Sequence, residues 1–433
     1  SVYTWDLFSV IKKNKSKNSG WTCFLCNDDL FFNIMDNGTV EALYGIFYMS
    51  FVGKLRRYYG GRNRNFRLIN KEVRAVRSIG LITYHHTTNF GSLLQTYALY
   101  KTVTQMGYNC KVIDYRNDAV EKREFIKHIY QCKDLRELKE HIKYARFKKR
   151  KAKVFAEFLK TNLAMSDLVY DRDNVQKANQ EFDTFLVGSD LVWDFSINQN
   201  DLTYMLDFAD KDAVKIAYAS SVGTMWESED RETVKNLLKR FQNIGVREHS
   251  IQKELDILIG KKVDFVCDPT MLLTAEQWKS MSAPRSIEGD YVLCYMSDPK
   301  LEMYKDAIQY GKKHHLPVYL ISYGWVPEGM KAIRPNGVEE FISLVSNAHT
   351  VFTASYHGML FSLYFNRNFY YYNRGWKERM KSIAEYLQLT DREHWSDEKD
   401  SAVIDYTLVN ERLNSFRTSS LRLLKEYLRR KNL

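Results

Sequence analysis

The sequence predicts an α/β protein with two Rossmann-like lobes, preceded by an N-terminal extension and followed by a C-terminal helix. Short apolar runs typical of buried strands alternate with stretches that carry apolar residues at helical spacing. This alternation occurs in two successive sets along the 433 residues. The length fits two domains of roughly 100–200 residues and one additional segment, so two parallel sheets are expected.

The first lobe begins where the sequence changes character, near residue 78. Ser78–Tyr84 is short, continuous and apolar, which indicates a buried strand. After a polar loop, a helix is predicted from Ser92 to Met106, and Gly107 stands where glycine commonly ends a helix. Lys111–Tyr115 is the next predicted strand. This strand–helix–strand order is typical of a parallel sheet with right-handed crossovers.

The remaining predicted elements complete both lobes. Residues 119–165 are expected to be mostly helical and basic, residues 269–284 to form a hinge, and residues 408–430 to form a long basic helix. Further strands are predicted at Thr184–Val187, Val214–Tyr218, Ile244–Val246, Val263–Val266, Tyr291–Tyr295, Val318–Ile321, Thr350–Thr353 and Phe369–Tyr372. Helices of the second lobe are predicted at 299–313, Val338–Ser346 and Met359–Phe365. Two such lobes with a terminal helix are the arrangement of the GT-B class. The predicted boundaries are 1–77 for the extension, 78–280 for the first lobe, 281–390 for the second lobe and 391–433 for the C-terminal basic helical segment.

Charge and composition restrict the partners and the location. The formal net charge of +11 favours anionic partners, and its basic excess is concentrated in residues 121–160, which we interpret as a solvated helical face. No nucleic-acid partner is predicted. No apolar run approaches the length of about 18 residues that spans a membrane, and no basic-then-apolar leader begins the chain, so a cytoplasmic protein is expected. Cys267 and Cys294 lie in apolar runs, as buried free thiols do.

The N-terminal extension receives no role. Cys23 and Cys26 form a single CxxC with no second ligand pair nearby, so no metal site is predicted there. Residues 47–59 mix aromatic and basic side chains. That pattern suits either contact with an anionic bilayer or a helix packed on the main body, and we favour the packed helix.

Polar clusters follow four predicted strands, at the sheet edge where open α/β sheets bind their ligands. The first cluster presents Asn89 and Gln95 at a helix start, where amide groups can donate to a carboxylate or to hydroxyls. Asn89 also suits a turn or a helix cap. The second cluster presents Ser189 and Asp190, which can bind ligand hydroxyls or cap the next helix.

The third and fourth clusters supply a fixed charge and a proton donor. Arg247 directly follows a strand and suits phosphate or carboxylate, with a salt bridge to Glu248 as the alternative. His357 lies between a strand and a helix, where an imidazole can donate a proton near neutral pH. Arg247 and His357 are therefore the predicted catalytic residues, and no metal is expected. The residues predicted to bind substrate in these clusters are Asn89, Gln95, Ser189, Asp190, Ser355, Tyr356 and Gly358, the last by leaving room for it.

Several other polar residues are not assigned to a site. Asp268 and Pro269 are expected to fix a turn at the hinge. Four histidines form no ligand pattern with nearby acids and are predicted to be loop and surface residues: His85, His86, His314 and His315.

Six motifs in these regions resemble those of the polysaccharide pyruvyl transferase family. In chain order they are Asn89-Phe-Gly-Ser-Leu-Leu-Gln95, Gly188-Ser-Asp-Leu-Val-Trp193, Tyr218-Ala-Ser-Ser221, Val246-Arg-Glu248, Asp268-Pro-Thr-Met-Leu-Leu273 and Ser355-Tyr-His-Gly358. Their order and spacing match the family across about residues 78–390. Each motif alone is weakly specific, whereas six in order are strongly so.

The sequence departs from the family pattern in three places. Leu191 replaces a common glutamine, Tyr356 conservatively replaces a phenylalanine, and Ser355 stands where some relatives carry an arginine. Another base must then help to hold the donor. Arg379 resembles the family's arginine in that region and is the predicted substrate-binding residue, with Arg374 and Lys377 as near alternatives.

The resemblance implies an enzyme that transfers pyruvate from phosphoenolpyruvate to two hydroxyls of one sugar. The product is a cyclic ketal, phosphate is released, and no cofactor is expected. The first lobe would face the acceptor and the second lobe the donor. Arg247 and Arg379 are the expected clamp on the anionic donor. His357 is expected to do acid or base chemistry or to hold the leaving phosphate.

The implied acceptor is a sugar of a surface polysaccharide or of its lipid-linked precursor. The basic C-terminal helix, with Leu421, Leu424 and Leu428 on one stripe, is therefore predicted to dock on an anionic inner membrane face. Two alternatives stay open. One is a GT-B glycosyltransferase that uses a nucleotide sugar, and the other is a non-catalytic glycan-binding protein of the same fold.

Overall fold

The structure is a computed structural model in which residues 78–125, 134–223, 225–296, 302–373, 379–400 and 404–429 are described. These residues belong to one compact unit, Val76–Leu433. Several predictions concern residues outside the described ranges. They are those for the extension 1–77 with its CxxC at Cys23 and Cys26 and its segment 47–59, and those for Arg374 and Lys377.

The first lobe is built on a seven-stranded parallel sheet. Its strands are β1 Ser78–Ile82, β2 Asn109–Tyr115, β3 Met165–Tyr170, β4 Thr184–Val187, β5 Val214–Ser220, β6 Asn243–Val246 and β7 Asp264–Phe265. They lie in the order β3–β2–β1–β4–β5–β6–β7, so the winding reverses between β1 and β4, where Ile82 is opposite Val187. Ligands of open α/β sheets bind beyond such a reversal. The loops after β1 and β4 therefore lie side by side at the ligand-binding edge.

The helices of the first lobe follow its strands. They are α1 Phe90–Gln105, α2 Asp118–Glu124, α3 Leu135–Asn162, α4 Phe195–Asn198, α5 Ser228–Leu238, α6 His249–Ile259, α7 Pro269–Leu272 and α8 Ala275–Ser280. Helix α1 begins after Asn89, whose side-chain oxygen accepts from the backbone N–H groups of Gly91 and Ser92. It ends before Gly107, which has φ of +85°, a conformation that glycine adopts without strain.

The second lobe is built on a five-stranded parallel sheet. Its strands are β8 Val292–Tyr295, β9 Val318–Ile321, β10 Lys331–Ile333, β11 Thr350–Thr353 and β12 Asn368–Tyr371. Its helices are α9 Met303–Lys313, α10 Val338–Ser346, α11 Tyr356–Tyr364 and α12 Arg379–Leu387. The order β10–β9–β8–β11–β12 reverses between β8 and β11, where Tyr295 is opposite Thr353. Each lobe thus has its own ligand-binding edge.

One apolar core runs through both lobes and fixes their contact. The ring of Phe90, at the start of α1, stacks on Phe341 of α10 with centroids 4.8 Å apart. Trp278 of α8 packs edge-on against Phe361 of α11 at 5.1 Å. Buried aromatic pairs of this kind add to the stabilisation that comes from their buried area. The starts of α1 and α11 are therefore held close together.

A long C-terminal helix, α13 Tyr406–Leu428, returns to the first lobe. The Ser420 hydroxyl accepts a hydrogen bond from the backbone N–H of Cys267 at 2.9 Å, and the Tyr427 hydroxyl donates to Asp264 at 2.6 Å. Leu424 and Leu428 are fully buried in the shared core. This corrects the prediction that their stripe docks on a membrane, because those side chains already pack inside the protein.

The structure confirms the predicted α/β class, the two Rossmann-like lobes in a GT-B-like arrangement and the C-terminal helix. Two strands, β3 and β10, are absent from the prediction. Both lie at sheet edges, and β3 exposes Leu168 and Val169, so neither has the continuous apolar run of a central strand. Cys267 and Cys294 are free and buried, as predicted. Among the described helices, none is long and apolar enough to cross a membrane.

Candidate active site

His357 of the second lobe packs against the first turn of α1 in the first lobe. Helix α11 begins at Tyr356, and Ser355 caps it by accepting from the backbone N–H of Gly358 at 3.3 Å. This cap places His357 in the first turn of α11, facing Gly91. A Cβ added to Gly91 would overlap Nδ1 of His357 and lie 2.6 Å from its Cγ. Only glycine at position 91 lets the two helix starts approach in this way.

Asp268 lies behind the imidazole and orders the start of α7. Its Oδ1 accepts from the backbone N–H of Thr270 at 2.9 Å and from the Thr270 hydroxyl at 2.7 Å. Its Oδ2 is 2.6 Å from Nη1 of Arg247 and 3.6 Å from Nε2 of His357. The second distance is too long for a hydrogen bond. Nε2 of His357 is thus a buried polar atom with no hydrogen-bond partner among the described residues.

Arg247 is the centre of a buried ion cluster. Its side chain is 1% exposed and contacts three carboxylates: Asp268 at 2.6 Å, Asp190 at 3.1 Å and Glu248 at 3.6 Å. Its guanidinium also lies over the Tyr356 ring, 4.8 Å from the centroid. A planar guanidinium suits such multiple contacts. Arg247 therefore ties strand β6 to the loops after β4 and β7 and to the start of α11.

The pKa values of the carboxylates in this cluster are shifted in different directions. Burial alone would raise the pKa of Asp268, but His357 and Arg247 hold it well below its usual range. Burial opposes the charge of Asp190 as well, and Arg247 and His357 again keep its pKa far below the usual range. For Glu248 burial prevails over Arg247 and the Ser221 hydroxyl bond, and its pKa is raised. Asp190 and Asp268 therefore stay ionised to lower pH than Glu248.

Arg379 is the more accessible of the two predicted arginines. Its side chain is 20% exposed, and its Nη1 lies 3.4 Å from Oδ1 of Asp190. Its guanidinium is 6.0 Å from the Tyr356 centroid, on the ring that Arg247 also contacts. Burial and the charge of Arg247 both lower its pKa, because two cations share one partly buried space. An additional anion would relieve this repulsion.

A small cleft opens beside Asp190 at the edge of the first sheet. Asp190 has φ of +65° and accepts from the Ser92 hydroxyl at 2.5 Å. Across the cleft, Glu124 accepts from the Thr87 hydroxyl at 2.7 Å. The lining residues are Tyr84, Thr87, Asn89, Ser92, Val120, Arg123, Glu124, Asp190, Leu191 and Ile197.

The structure brings together His357, Arg247, Asp190, Tyr356 and Arg379, as the contacts above show. Other predicted residues lie beside or behind this group. Asn89 serves as the cap of α1, the alternative weighed from the sequence, and also lines the cleft. Ser355 is the cap of α11.

Three predicted substrate contacts are corrected by their surroundings. Gln95 is 0% exposed; its amide nitrogen donates to the Thr83 hydroxyl and its oxygen accepts from the backbone N–H of Ser189. Ser189 is equally buried, and its hydroxyl donates to Ala219 at 2.9 Å. Both residues therefore hold the loop after β4 in place and do not face the cleft. The space above Gly358 is filled by the Thr353 hydroxyl and by Tyr295, 2.9 Å from an added Cβ.

Some residues of the site are absent from the prediction. Asp268 directly follows the predicted strand Val263–Val266, so the strand-end rule that identified Arg247 also applies to it. Glu124 lies in the basic helical region, and its position in the sequence did not indicate a site residue. The prediction of a surface histidine is wrong for His85, which is buried and 3.1 Å from Asp114. Among the described residues, no group of three or more His, Cys, Asp and Glu side chains is arranged to hold a metal ion.

Comparison with known proteins identifies the family. The sequence model for polysaccharide pyruvyl transferase matches residues 89–375, well over half of the chain. The chain belongs to the polysaccharide pyruvyl transferase family. The matched span is shorter than the predicted 78–390, but it includes Asn89, Asp190, Arg247 and His357 of this pyruvyl transferase family member. Arg379 lies just beyond it.

Solved structures share only the general fold with this pyruvyl transferase family member. UDP-GlcNAc 2-epimerase from Methanocaldococcus jannaschii is 14% identical, with a TM-score of 0.44, over 82% of this chain and 93% of that one. The Neisseria meningitidis UDP-GlcNAc 2-epimerase bound to UDP-GlcNAc is 10% identical, with a TM-score of 0.44, over 81% and 99%. Arabidopsis thaliana UGT89C1 complexed with UDP-L-rhamnose is 11% identical, with a TM-score of 0.38, over 81% and 93%. No curated protein sequence matches the chain.

Proposed function

We propose that this protein transfers the pyruvyl group of phosphoenolpyruvate to two hydroxyls of one sugar and forms a cyclic ketal. The observation that carries the proposal is Nε2 of His357, which has no hydrogen-bond partner among the described residues and lies buried 3.6 Å from the Asp268 carboxylate that Arg247 binds. A buried polar atom without a partner is costly. Such an atom is maintained where it meets a substrate, which here would be a donor that needs a proton and positive charge.

The two arginines would divide the work of binding the donor. Arg247 is held by three carboxylates and is 1% exposed, so it shapes the site and supplies a fixed positive field. Arg379 makes one longer ion pair and is partly exposed, so it is the arginine that can reach a carboxylate or phosphate directly. A guanidinium binds either group through two parallel hydrogen bonds.

The proposed reaction uses His357 as the proton donor. A proton passes from its imidazole to the methylene carbon of phosphoenolpyruvate, and positive charge develops at C2. The first sugar hydroxyl adds to C2 and returns its proton to the imidazole. The C2–O bond to phosphate then breaks, the second hydroxyl adds, and its proton leaves with the phosphate. Asp268 balances the charge of the ring whenever the ring is protonated.

The cleft beside Asp190 is the proposed place of the acceptor sugar. The carboxylates of Asp190 and Glu124 face it from two sides, and carboxylates accept hydrogen bonds from neighbouring sugar hydroxyls. Asp190 also contacts Arg247 and Arg379. An acceptor bound there would thus present its hydroxyls to the donor.

The decisive experiment measures phosphate release from phosphoenolpyruvate in the presence of a panel of acceptors containing galactose, mannose, glucose or N-acetylmannosamine. Release that depends on one acceptor, with a product heavier by one pyruvyl ketal in mass spectrometry, is the expected result. A protein that is silent with every acceptor but is stabilised by a nucleoside diphosphate would instead be a glycosyltransferase. One that binds glycan without consuming phosphoenolpyruvate would be a non-catalytic relative.

A further inference from the structure

A lysine of the long basic helix α3 lies in a cage of aromatic rings at the junction of the two lobes. Nζ of Lys151 is 4.1 Å from the ring centroid of Phe90, 4.3 Å from that of Tyr323 and 5.2 Å from that of Phe155. Phe90 and Phe155 belong to the first lobe and Tyr323 to the second. An ammonium over ring faces is attracted by their negative electrostatic potential.

Among the described residues, the charge of Lys151 has no direct counter-ion, because no carboxylate lies within ion-pair distance of its Nζ. Burial lowers the pKa of the amine to about 7, and the more distant Glu124 opposes this only in part. Other lysines of α3 are solvated, such as Lys153, which is 78% exposed. Holding an ammonium in a partly buried site without an ion pair costs stability. A role in binding an anionic ligand would explain why it is there.

The cage adjoins the proposed active site. Phe90 stands between Asn89, which lines the cleft, and Gly91, which packs on His357. Tyr323 follows the end of β9 by two residues, at the ligand-binding edge of the second sheet. Helix α1 begins at Phe90, and its positive dipole end adds to the field of the ammonium.

We propose that Lys151 is a phosphate-binding residue beside the proposed active site. Aromatic rings hold an ammonium in position without forming an ion pair, so the protonated amine can still pair with an incoming anion, which would in turn favour its protonation. This inference rests on the proposed function for the source of the phosphate. That source is either phosphoenolpyruvate itself or the phosphate that links an acceptor sugar to its carrier.

The test compares full-length variants by calorimetric binding of inorganic phosphate, phosphoenolpyruvate and a sugar 1-phosphate. Lys151→Met keeps the length of the side chain and suits the apolar cage, whereas Lys151→Arg keeps the charge. Lys153→Met, on the same helix, is the matched control. Loss of one charge-assisted contact should weaken phosphate binding about tenfold or more in Lys151→Met. Lys151→Arg should retain most of the affinity, and Lys153→Met all of it.

The ligand that responds identifies the source. Weaker binding of phosphoenolpyruvate and phosphate supports a role at the donor, and weaker binding of the sugar phosphate alone supports a role at the acceptor. Unchanged affinity for all three ligands overturns the inference, and a lower melting temperature with unchanged affinity shows that the cage is only structural. These measurements need no turnover, so they can succeed or fail independently of the pyruvyl transfer assay.

Discussion

Two cations near the proposed site, Arg247 and Lys151, lie in contrasting surroundings. Arg247 is enclosed by three carboxylates, the nearest at 2.6 Å. Lys151 is enclosed by three aromatic rings, the nearest at 4.1 Å. In the first region each charge meets an opposite charge within the protein. In the second the charge meets only the faces of rings, which attract a cation but cannot neutralise it.

The contrast separates charges that build the site from charges that serve a ligand. The acids around Arg247 keep it in one position, and burial makes that arrangement rigid. The ammonium of Lys151 lacks such acids, so its burial is a net cost that an anion can remove. Arg379 is intermediate, because it has one carboxylate contact and is 20% exposed. Buried positive charge therefore indicates ligand binding only where its partners are missing.

The largest effect is expected at His357, the proposed proton donor. His357→Gln keeps a polar side chain of similar reach but removes the acid, so turnover should fall by about 10²- to 10⁴-fold. The fall should appear in kcat of the phosphate-release assay with folding unchanged. His314→Gln is the matched control, because His314 also pairs with an aspartate, Asp400 at 2.9 Å, away from the cleft.

A second variant perturbs the same imidazole without changing it. Gly91→Ala would place a Cβ against His357 and should lower kcat because the ring must move. Gly324→Ala, where an added Cβ meets nothing within 4 Å, should behave like the parent. Activity near the parent level in both His357→Gln and Gly91→Ala would remove His357 from the mechanism.

The next prediction compares how much Arg247 and Lys151 contribute to the stability of the protein. Arg247→Met leaves Asp190 and Asp268 buried without their main counter-ion and should cost about 3–5 kcal/mol of unfolding free energy. Urea unfolding measures the loss. Lys151→Met should instead keep or raise stability. The control is Arg172→Met, because Arg172 is 50% exposed on Asp207 and should contribute less than about 1 kcal/mol. Equal, small losses at positions 247 and 172 would show that the cluster does not depend on Arg247.

The smallest expected effect is a difference in pH dependence. The pKa of Asp268, which burial would raise, is held low by His357 and Arg247, so stability is lost as pH falls below its ordinary pKa of about 4. Burial lowers the pKa of Lys151 to about 7, although the charge of Glu124 acts in the opposite direction. Between about pH 7 and pH 10 this amine is therefore less protonated in the folded protein than in the unfolded chain. Stability from this group therefore rises with pH across that window.

Unfolding free energies measured from pH 3 to 10 check both signs. Asp268→Asn should show a smaller loss on the acid side, because the lowered pKa of Asp190 still contributes there. Lys151→Met should show a smaller rise on the alkaline side, because Lys215, whose pKa burial lowers to about 8, still contributes. A slope in Lys151→Met equal to that of the parent would contradict the assignment to Lys151.

The fold was open to prediction because its signals are local. The strands Thr184–Val187, Val318–Ile321 and Thr350–Thr353 and the helix Val338–Ser346 have the predicted bounds, since each is a compact apolar run or stripe. Edge strand β10 is three residues long and half-exposed, so it lacks such a run. The parallel order of the strands then placed the polar clusters at one edge.

The site was predictable only in part, because a strand end fixes where a residue lies but not what it faces. Asp190, Arg247 and His357 meet as the strand-end rule expects. Gln95 belongs to the motif of Asn89 and Ser189 to that of Asp190. Behind the cleft, the Gln95 side-chain oxygen accepts a hydrogen bond from the backbone N–H of Ser189. Lys151 gave no signal in a basic helix. Of its three ring partners, Phe90 lies 61 residues before it and Tyr323 lies 172 after it in the sequence, and only the folded structure brings these two to it.

The return of α13 to the first lobe has a consequence for the order in which this protein can be completed during synthesis. Ser420 and Tyr427 bond to Cys267 and Asp264, at the far edge of the first sheet. A nascent chain carries that sheet for well over a hundred residues before those partners leave the ribosome. Domains generally fold as units from the N-terminus during synthesis. Here the first lobe lacks its contacts with α13 at the β7 edge until the second lobe has been synthesised.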